Sequence, residues 1–365
     1  MTQKLDYHQS VNYDQADPMK VLAQQEGLAT KGNMPAGFAE VEGTRGESAY
    51  MFSMSDKWGA FVQEGLGTKS LIAQSMYEST GKSLFAGIAQ DTVACIINDL
   101  VSVGATPVVL NAYWSASSYE WLTDKALAEG FIKGWRAACD KAGVVWGGGE
   151  TQALSGVVVP GALEFAGSAF GIITDEEHLV QGKNLQAGDA IVLVESNGVH
   201  ANGISLIREL AARLPEGYAT ELSDGTSFGE AALAASHLYA ELVQALQVAE
   251  LNIHYLSNIT GHGWRKIMRA EVDFTYRMTE ITPVAPIFDF IAEQAQNDER
   301  EMYGNYNMGA GYAVYLPANQ AEHAVQVAKS CGLQAWIAGT VEAGPKQVII
   351  EPKNITFAGD TLEVR

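Results

Sequence analysis

Apolar and polar positions recur along this chain with two spacings, near 2 in short stretches and near 3.6 in longer ones, so strands and helices are expected to interleave throughout. Met51 to Val62 reads as a strand pair that ends at Glu64-Gly65-Leu66-Gly67-Thr68-Lys69 and runs into a helical pattern through Leu71 to Tyr77. A helix over Ser83 to Val103, a strand over Thr106 to Trp114 and a helix over Thr123 to Ala142 follow. A short strand at Val144 to Trp146 then runs into Gly147-Gly148-Gly149-Glu150-Thr151, and apolar strand candidates continue to Ile173. Thr174 to Asp189 is polar and turn-rich, which sets a domain boundary near residue 175 and divides the chain into 1–175 and 176–365. Beyond it the pattern predicts a strand at Ala190 to Val194 and helices at Gly203 to Arg213, Glu230 to Val248, Ala285 to Gln296 and Asn319 to Ser330. Further strands are expected near Asp273 to Met278, Gly311 to Leu316 and Gln347 to Glu351. The class is mixed α/β.

Composition narrows the function. Hydrophobic residues make up 47% of the 365 and charged residues 18%, below the roughly 25% usual for soluble domains, so much of the chain is expected at interior or interface positions of an oligomer. Lys and Arg total 23 against 43 Asp and Glu. The resulting charge of -20 repels phosphate backbones and anionic lipid, which disfavours nucleic acid and membrane partners. A phosphorylated ligand would need a cation or backbone amides to offset that field. Cys95, Cys139 and Cys331 are widely spaced and outside any CxxC pattern, which fits a reducing cytoplasm. The polar stretch Met1 to Asp17 offers no apolar leader region, and no apolar run reaches the roughly 18 residues of a membrane span.

The Ser83 to Val103 helix carries the most chemistry. At about 100° per residue, Cys95, Asn98 and Ser102 fall within roughly 40° of Asp91, and Asp99 lies about 80° away, while Ile96, Ile97, Leu100 and Val103 take the far side. Such a face is either a solvated surface or an acidic wall; the near absence of Lys and Arg on it favours a wall suited to magnesium, which prefers carboxylate and water ligands. Glu64 to Lys69 offers two glycines, a hydroxyl and an ammonium leading into a helix. That is either an ordinary strand-to-helix turn or a phosphate cradle without the Walker A spacing. Glu150, after the glycine run, is a ligand candidate or a turn acid. In the second half, Ser196-Asn197-Gly198-Val199-His200-Ala201-Asn202-Gly203 places hydroxyl, amide and imidazole groups beside a helix start, an arrangement suited to an anion.

Taken in order, these stretches resemble the phosphoribosylformylglycinamidine cyclo-ligase family, also called aminoimidazole ribonucleotide synthase, over most of the chain. Glu64 to Lys69 is similar to the family's DGVGTK, Asp91 to Leu100 to its D…NDL helix and Gly148 to Thr151 to its GGET. Ser196 to Leu206 is similar to its SGxHSNGxSL, Ile259 to Gly263 to its LTGGG, and Glu301-Met302-Tyr303 with Asn307-Met308-Gly309 to its EMYRTFNMG. Glu64 stands where the family has aspartate, Asn111 likewise, and His262 replaces a glycine; Tyr7 to Asp14 and Ala36-Gly37-Phe38 are reduced forms of the family's YKDAGVD and GGFG.

The resemblance implies an N-terminal ATP-binding and dimerisation domain, a C-terminal domain, a homodimer, and ATP and Mg²⁺ as cofactors. It implies Mg²⁺ on Glu64, Asp91 and Asp99, catalysis by Lys69, Asp91, Asp99 and Glu150, and nucleotide contacts from Gly65, Gly67, Thr68, Lys69, Asn98 and Thr151. The substrate phosphate would rest on His200, Asn202, Gly203 and Ser205. Two other readings stay open: a phosphoryl transferase of the same superfamily with another small-molecule acceptor, and a non-catalytic ATP-binding homologue.

Overall fold

The computed structural model describes residues 4–5 and 13–362, and the side chains of residues 13–17 lie outside the description. The Tyr7 to Asp14 comparison therefore lies outside the described residues or side chains. A helix, α1 (Tyr13–Ala29), precedes the first sheet. That sheet holds β1 (Phe38–Glu40), β2 (Tyr50–Met54), β3 (Lys57–Gly65), β4 (Thr106–Ala116), β5 (Val145–Ala153) and β6 (Leu163–Ile173). Their order is β1-β2-β3-β6-β4-β5, antiparallel except for the β4–β5 pair. Helices α2 (Lys69–Thr80), α3 (Phe85–Val101), α4 (Tyr119–Thr123) and α5 (Lys125–Ala142) belong to this half, with α3 packed between the sheet and α5.

An aromatic cluster fills this core. Phe131 stacks on Phe165 with ring centroids 4.2 Å apart, and Trp114 meets Phe131 and Trp135 edge-on at 5.0 and 5.1 Å. Such geometry adds to the burial of four large rings.

The second sheet has the order β13-β12-β9-β11-β7-β10-β8. Its strands are β7 (Asp189–Glu195), β8 (Tyr255–Asn258), β9 (Thr275–Met278), β10 (Ala310–Pro317), β11 (Ala335–Glu342), β12 (Gln347–Ile350) and β13 (Ile355–Ala358). Central β7 reads Ala-Ile-Val-Leu-Val and is buried on both faces, which a continuous apolar run requires. Helices α6 (Ile204–Arg213), α7 (Phe228–Ala232), α8 (Ala240–Val248), α9 (Pro286–Ala295), α10 (Glu299–Asn305) and α11 (Ala321–Ser330) complete this half. Among the described residues no helix is long and apolar enough to cross a membrane.

Several elements differ from the sequence expectation, and at three places the reason is local. The helix expected over Thr123 to Ala142 is α5, which starts at Lys125 because Asp124 turns extended and its carboxylate accepts from the Ala126 and Leu127 amides as its N-cap, and the short α4 before it was not expected. The strand expected to stop at Trp146 continues through the glycine run, so Gly147 to Thr151 is edge strand instead of loop. Gly149 there has φ +155°, and a Cβ would lie 2.1 Å from the Ala112 carbonyl oxygen. The helix expected over Glu230 to Val248 breaks between α7 and α8, where the chain is non-helical from Ala234 to Tyr239. Its Ala-rich sequence favours helix, but its backbone groups are taken up by the other half of the molecule.

Candidate active site

Helix α3 is two-sided in a way neither of its sequence readings described. Ile88, Ile96, Ile97 and Leu100 are fully buried, and so are Asp91 and Asn98 on the polar side. The polar side is the seam between the two halves. Gln90 Nε2 donates to the Ser236 carbonyl at 2.8 Å, and Asn98 Nδ2 donates to the His237 carbonyl at 2.9 Å. Asn98 Oδ1 accepts from the Tyr239 amide at 2.9 Å, and Ser102 Oγ lies 2.8 Å from the Tyr312 hydroxyl. The non-helical stretch after α7 thus exchanges intrahelical hydrogen bonds for bonds to α3.

Asp91 and Lys69 form the centre of that seam. Both side chains are 0% exposed and lie 2.8 Å apart as an ion pair. Lys69 also donates to the Ala234 carbonyl, while Asp91 Oδ1 accepts from the Ser236 amide and hydroxyl at 2.8 and 2.6 Å. The expected metal role of Asp91 and phosphate role of Lys69 are therefore not what this geometry provides, because each group neutralises the other out of reach of solvent.

Beside the seam opens a cleft of ≈ 370 Å³, within the size range of small-molecule sites. Glu64, near the end of β3, lines it together with Asp99 of α3. His200 and Asn202 enter from the β7–α6 loop, and Lys266 and Arg269 come from the short 3₁₀ segment Gly263–Met268 and the residue after it. Asn258, at the end of β8, donates to Asp99 Oδ1 at 2.7 Å. Burial and the nearby Asp99 carboxylate push Glu64 up to about 7. Burial and Arg269 push Lys266 down to about 7. Burial, then His237 and Lys69, hold His200 well below the ordinary imidazole range, so it faces the cleft as a neutral ring.

Of the residues singled out from sequence, the structure brings Glu64, Gly65, Cys95, Asn98, Asp99, His200, Asn202 and, from the Ile259 to Gly263 stretch, Thr260 to this cleft. It does not bring the others. Glu150 and Thr151 are exposed on the edge strand β5, since the glycine run is strand and carries them along the sheet. Gly67 is exposed and Thr68 is the N-cap of α2. Gly203 starts α6 at φ +69° with the Tyr306 ring where a Cβ would go, 2.1 Å away, and Ser205 follows in the helix outside the cleft. Sequence reasoning missed Asn258, Lys266 and Arg269. The signal for the last two was present: Arg265, Lys266 and Arg269 follow one glycine turn in a chain with only 23 cations.

Among the described residues no three His, Cys, Asp or Glu side chains converge as a metal cage, so the expected Glu64, Asp91 and Asp99 trio is not assembled. The Glu64 and Asp99 pair alone fits magnesium, which takes one or two carboxylates and completes its shell with water and phosphate oxygens. Their mutual repulsion, read in the raised Glu64, is what a divalent cation would relieve.

The sequence matches the N-terminal domain of AIR synthase related protein over residues 46–173 and the C-terminal domain over residues 186–351. The chain belongs to the AIR synthase related family. Among curated relatives of this family member, phosphoribosylformylglycinamidine cyclo-ligase of Alkaliphilus oremlandii is 31% identical, over 79% of this chain and 82% of its own length. The cyclo-ligase of Nitrosococcus oceani is 32% identical, over 76% of this chain and 75% of its own. The solved HypE–HypF complex shares the AIR synthase fold at a TM-score of 0.60 and 20% identity, over 86% of this chain and 92% of that one. Within this AIR synthase related chain, Asn111 on β4 is exposed and does not line the cleft. His262 sits at φ +76°, a conformation natural to the glycine that the family motif carries there.

The raised Glu64 makes a stability prediction for the metal-free protein. A carboxyl whose folded value is near 7 against an ordinary 4.5 weighs against the fold once ionised. The penalty is absent below about 4.5, grows as pH rises and is complete above about 7. Glu64→Gln is expected to raise the melting temperature by a few degrees at pH 8 and to leave it unchanged at pH 4. Thermal scans of both proteins at the two pH values check this; equal melting at pH 8 contradicts the buried, repelled carboxylate.

Proposed function

We propose that this chain is an ATP-dependent cyclo-ligase of purine biosynthesis, converting formylglycinamidine ribonucleotide to aminoimidazole ribonucleotide with release of ADP and phosphate. The observation that carries the reading is one cleft in which both halves contribute: the carboxylates Glu64 and Asp99, the neutral donors His200 and Asn202, and the cations Lys266 and Arg269. Curated cyclo-ligases at about 30% identity over most of the chain support it. An amide oxygen is a poor leaving group. Moving the γ-phosphoryl of ATP onto that oxygen releases ADP and leaves an iminophosphate. The ring-closing nitrogen then attacks its carbon, and the C–O bond breaks as phosphate departs.

Such chemistry asks the protein chiefly to position two anionic substrates and offset their charge. Glu64 and Asp99 would hold Mg²⁺, which when bound neutralises charge on the transferring phosphoryl group. Asn258 orients Asp99 through its hydrogen bond. Asn98 acts as a positioning residue, its amide engaged with residues 237 and 239. A domain division near 175 is supported by the first sheet ending at Ile173 and the second beginning at Asp189. A homodimer is supported by the open edge strand β5, where Val145 is 65% and Trp146 36% exposed. Cytoplasmic placement is supported by three free cysteines.

Purified protein incubated with formylglycinamidine ribonucleotide, ATP and Mg²⁺ is expected to form one ADP for each aminoimidazole ribonucleotide, followed by chromatography. ADP release only with a different acceptor would transfer the protein to a related phosphoryl-transfer activity. Failure to bind Mg-ATP by calorimetry would make it a non-catalytic homologue.

A further inference from the structure

The loop that carries His200 and Asn202 is held by a segment that does not itself line the cleft. Strands β7 and β10 pair antiparallel with Glu195 opposite Ala310, so the loop leaving β7 and the stretch 306–309 entering β10 run side by side. The Ser196 amide donates to the Gly309 carbonyl at 2.9 Å, and the Tyr306 hydroxyl donates to the Gly203 carbonyl at 3.3 Å. Between those two fastenings stands Asn307, 0% exposed and outside the cleft wall. Its Nδ2 donates to the Gly198 carbonyl at 2.9 Å, and its Oδ1 accepts from the Ser196 hydroxyl at 2.8 Å and the Gly309 amide at 3.1 Å. Its own carbonyl accepts from Trp264 Nε1 at 2.8 Å, which ties it to the 3₁₀ segment that brings Lys266 to the cleft.

The backbone on both sides of this contact is strained. His200 has φ +55° and Met308 φ +44°, and residues other than glycine enter the left-handed region at a cost that surrounding bonds must cover. Met308 is held from behind by the Thr282 hydroxyl, which donates to its carbonyl at 2.8 Å. His200 Nε2 is buried with no hydrogen-bond partner among the described residues, which leaves that end of the ring to be aimed by the loop backbone. An apolar residue of similar volume would fill the space of Asn307; a satisfied amide with both oxygen sites taken instead selects one loop arrangement. We infer that Asn307 is a positioning residue of this site, its amide fixing the β7–α6 loop so that His200 and Asn202 face the cleft. It acts through those two side chains and touches no ligand. That they serve the acceptor rests on the cyclo-ligase reading, whereas the hold of Asn307 on their loop does not.

The test compares the full chain as wild type, Asn307→Ala, Ser196→Ala, the pair His200→Ala with Asn202→Ala, and that pair with Asn307→Ala added, with melting curves to establish folding. Asn307→Ala is expected to lower kcat/KM for formylglycinamidine ribonucleotide about thirtyfold and to leave the Michaelis constant for ATP within about twofold. In the His200 and Asn202 background the same change is expected to cost less than about threefold, because the groups it positions are gone. The full factor reappearing in that background marks general support of the fold and overturns the assignment. Deuterium exchange reads the loop without turnover: in Asn307→Ala, peptides spanning 196–203 are expected to exchange about tenfold faster while those of β4 keep their rate. A uniform rise, or no rise over 196–203 in a folded variant, also overturns it. Should Asn307→Ala not fold, Ser196→Ala, which removes one bond and leaves the asparagine in place, is expected to show the same local change at about threefold, and a wild-type rate there overturns the assignment. Local exchange in a protein with no cyclo-ligase turnover keeps the role of Asn307 and discards the cyclo-ligase reading; turnover with the full Asn307 factor in the paired background does the reverse.

Discussion

Asp91→Ala is expected to destabilise the protein by about 3–5 kcal/mol, the magnitude of breaking one side of a buried ion pair. The change strands the fully buried Lys69 ammonium with only the Ala234 carbonyl and removes the acceptor for both the amide and hydroxyl of Ser236. Urea denaturation would measure it. Asp91→Leu combined with Lys69→Met is expected to regain much of the loss, since an apolar pair of similar volume leaves no unpaired charge. A variant that folds with wild-type stability but has lost turnover would instead return Asp91 to the reacting site.

Asp99→Asn is expected to do the opposite: turnover falls by about 10²–10³-fold, roughly 3–4 kcal/mol of transition-state stabilisation, while the melting temperature hardly moves. Asp99 lines the cleft, and its Oδ1 accepts from Asn258 Nδ2. An asparagine can keep that acceptor while losing the charge that would hold a cation. Steady-state turnover against ATP, with thermal melting in parallel, separates the two effects. Retained turnover would remove Asp99 from the chemistry. The two aspartates lie eight residues apart on one helix, so the contrast between their variants measures how sharply the cleft is divided from the seam.

That division was not legible in the sequence. Helical geometry put Asp91, Cys95, Asn98 and Asp99 on one side of α3, and the structure agrees on the side but splits its use. Periodicity reports which residues share a face, not what the face meets, and a face of Asp and Asn buried against another domain has the same pattern as one lining a site. The motif order was legible because phosphate-handling loops use glycines and hydroxyls at fixed spacing. What each motif touches was not: Lys69 follows a glycine turn as a phosphate-binding lysine would, yet its ammonium is consumed 165 residues away at Ala234.

The expected Glu230 to Val248 helix failed for a related reason. Its residues prefer helix locally, and only the partner groups on α3 explain the break. Strands β1, β8, β11 and β13 were missed; β8, Tyr-Leu-Ser-Asn, is buried at all four positions and so shows no alternation.

The seam also bears on how the molecule is made. As residues 1–175 leave the ribosome, the first sheet and its helices have all their own strands, but Gln90, Asp91, Asn98 and Lys69 still await acceptors and donors that arrive only with residues 234–239. The first half thus completes its own sheet while its polar strip stays unpaired. Its synthesis-time intermediate carries a strip of charge and amide that the second half later covers.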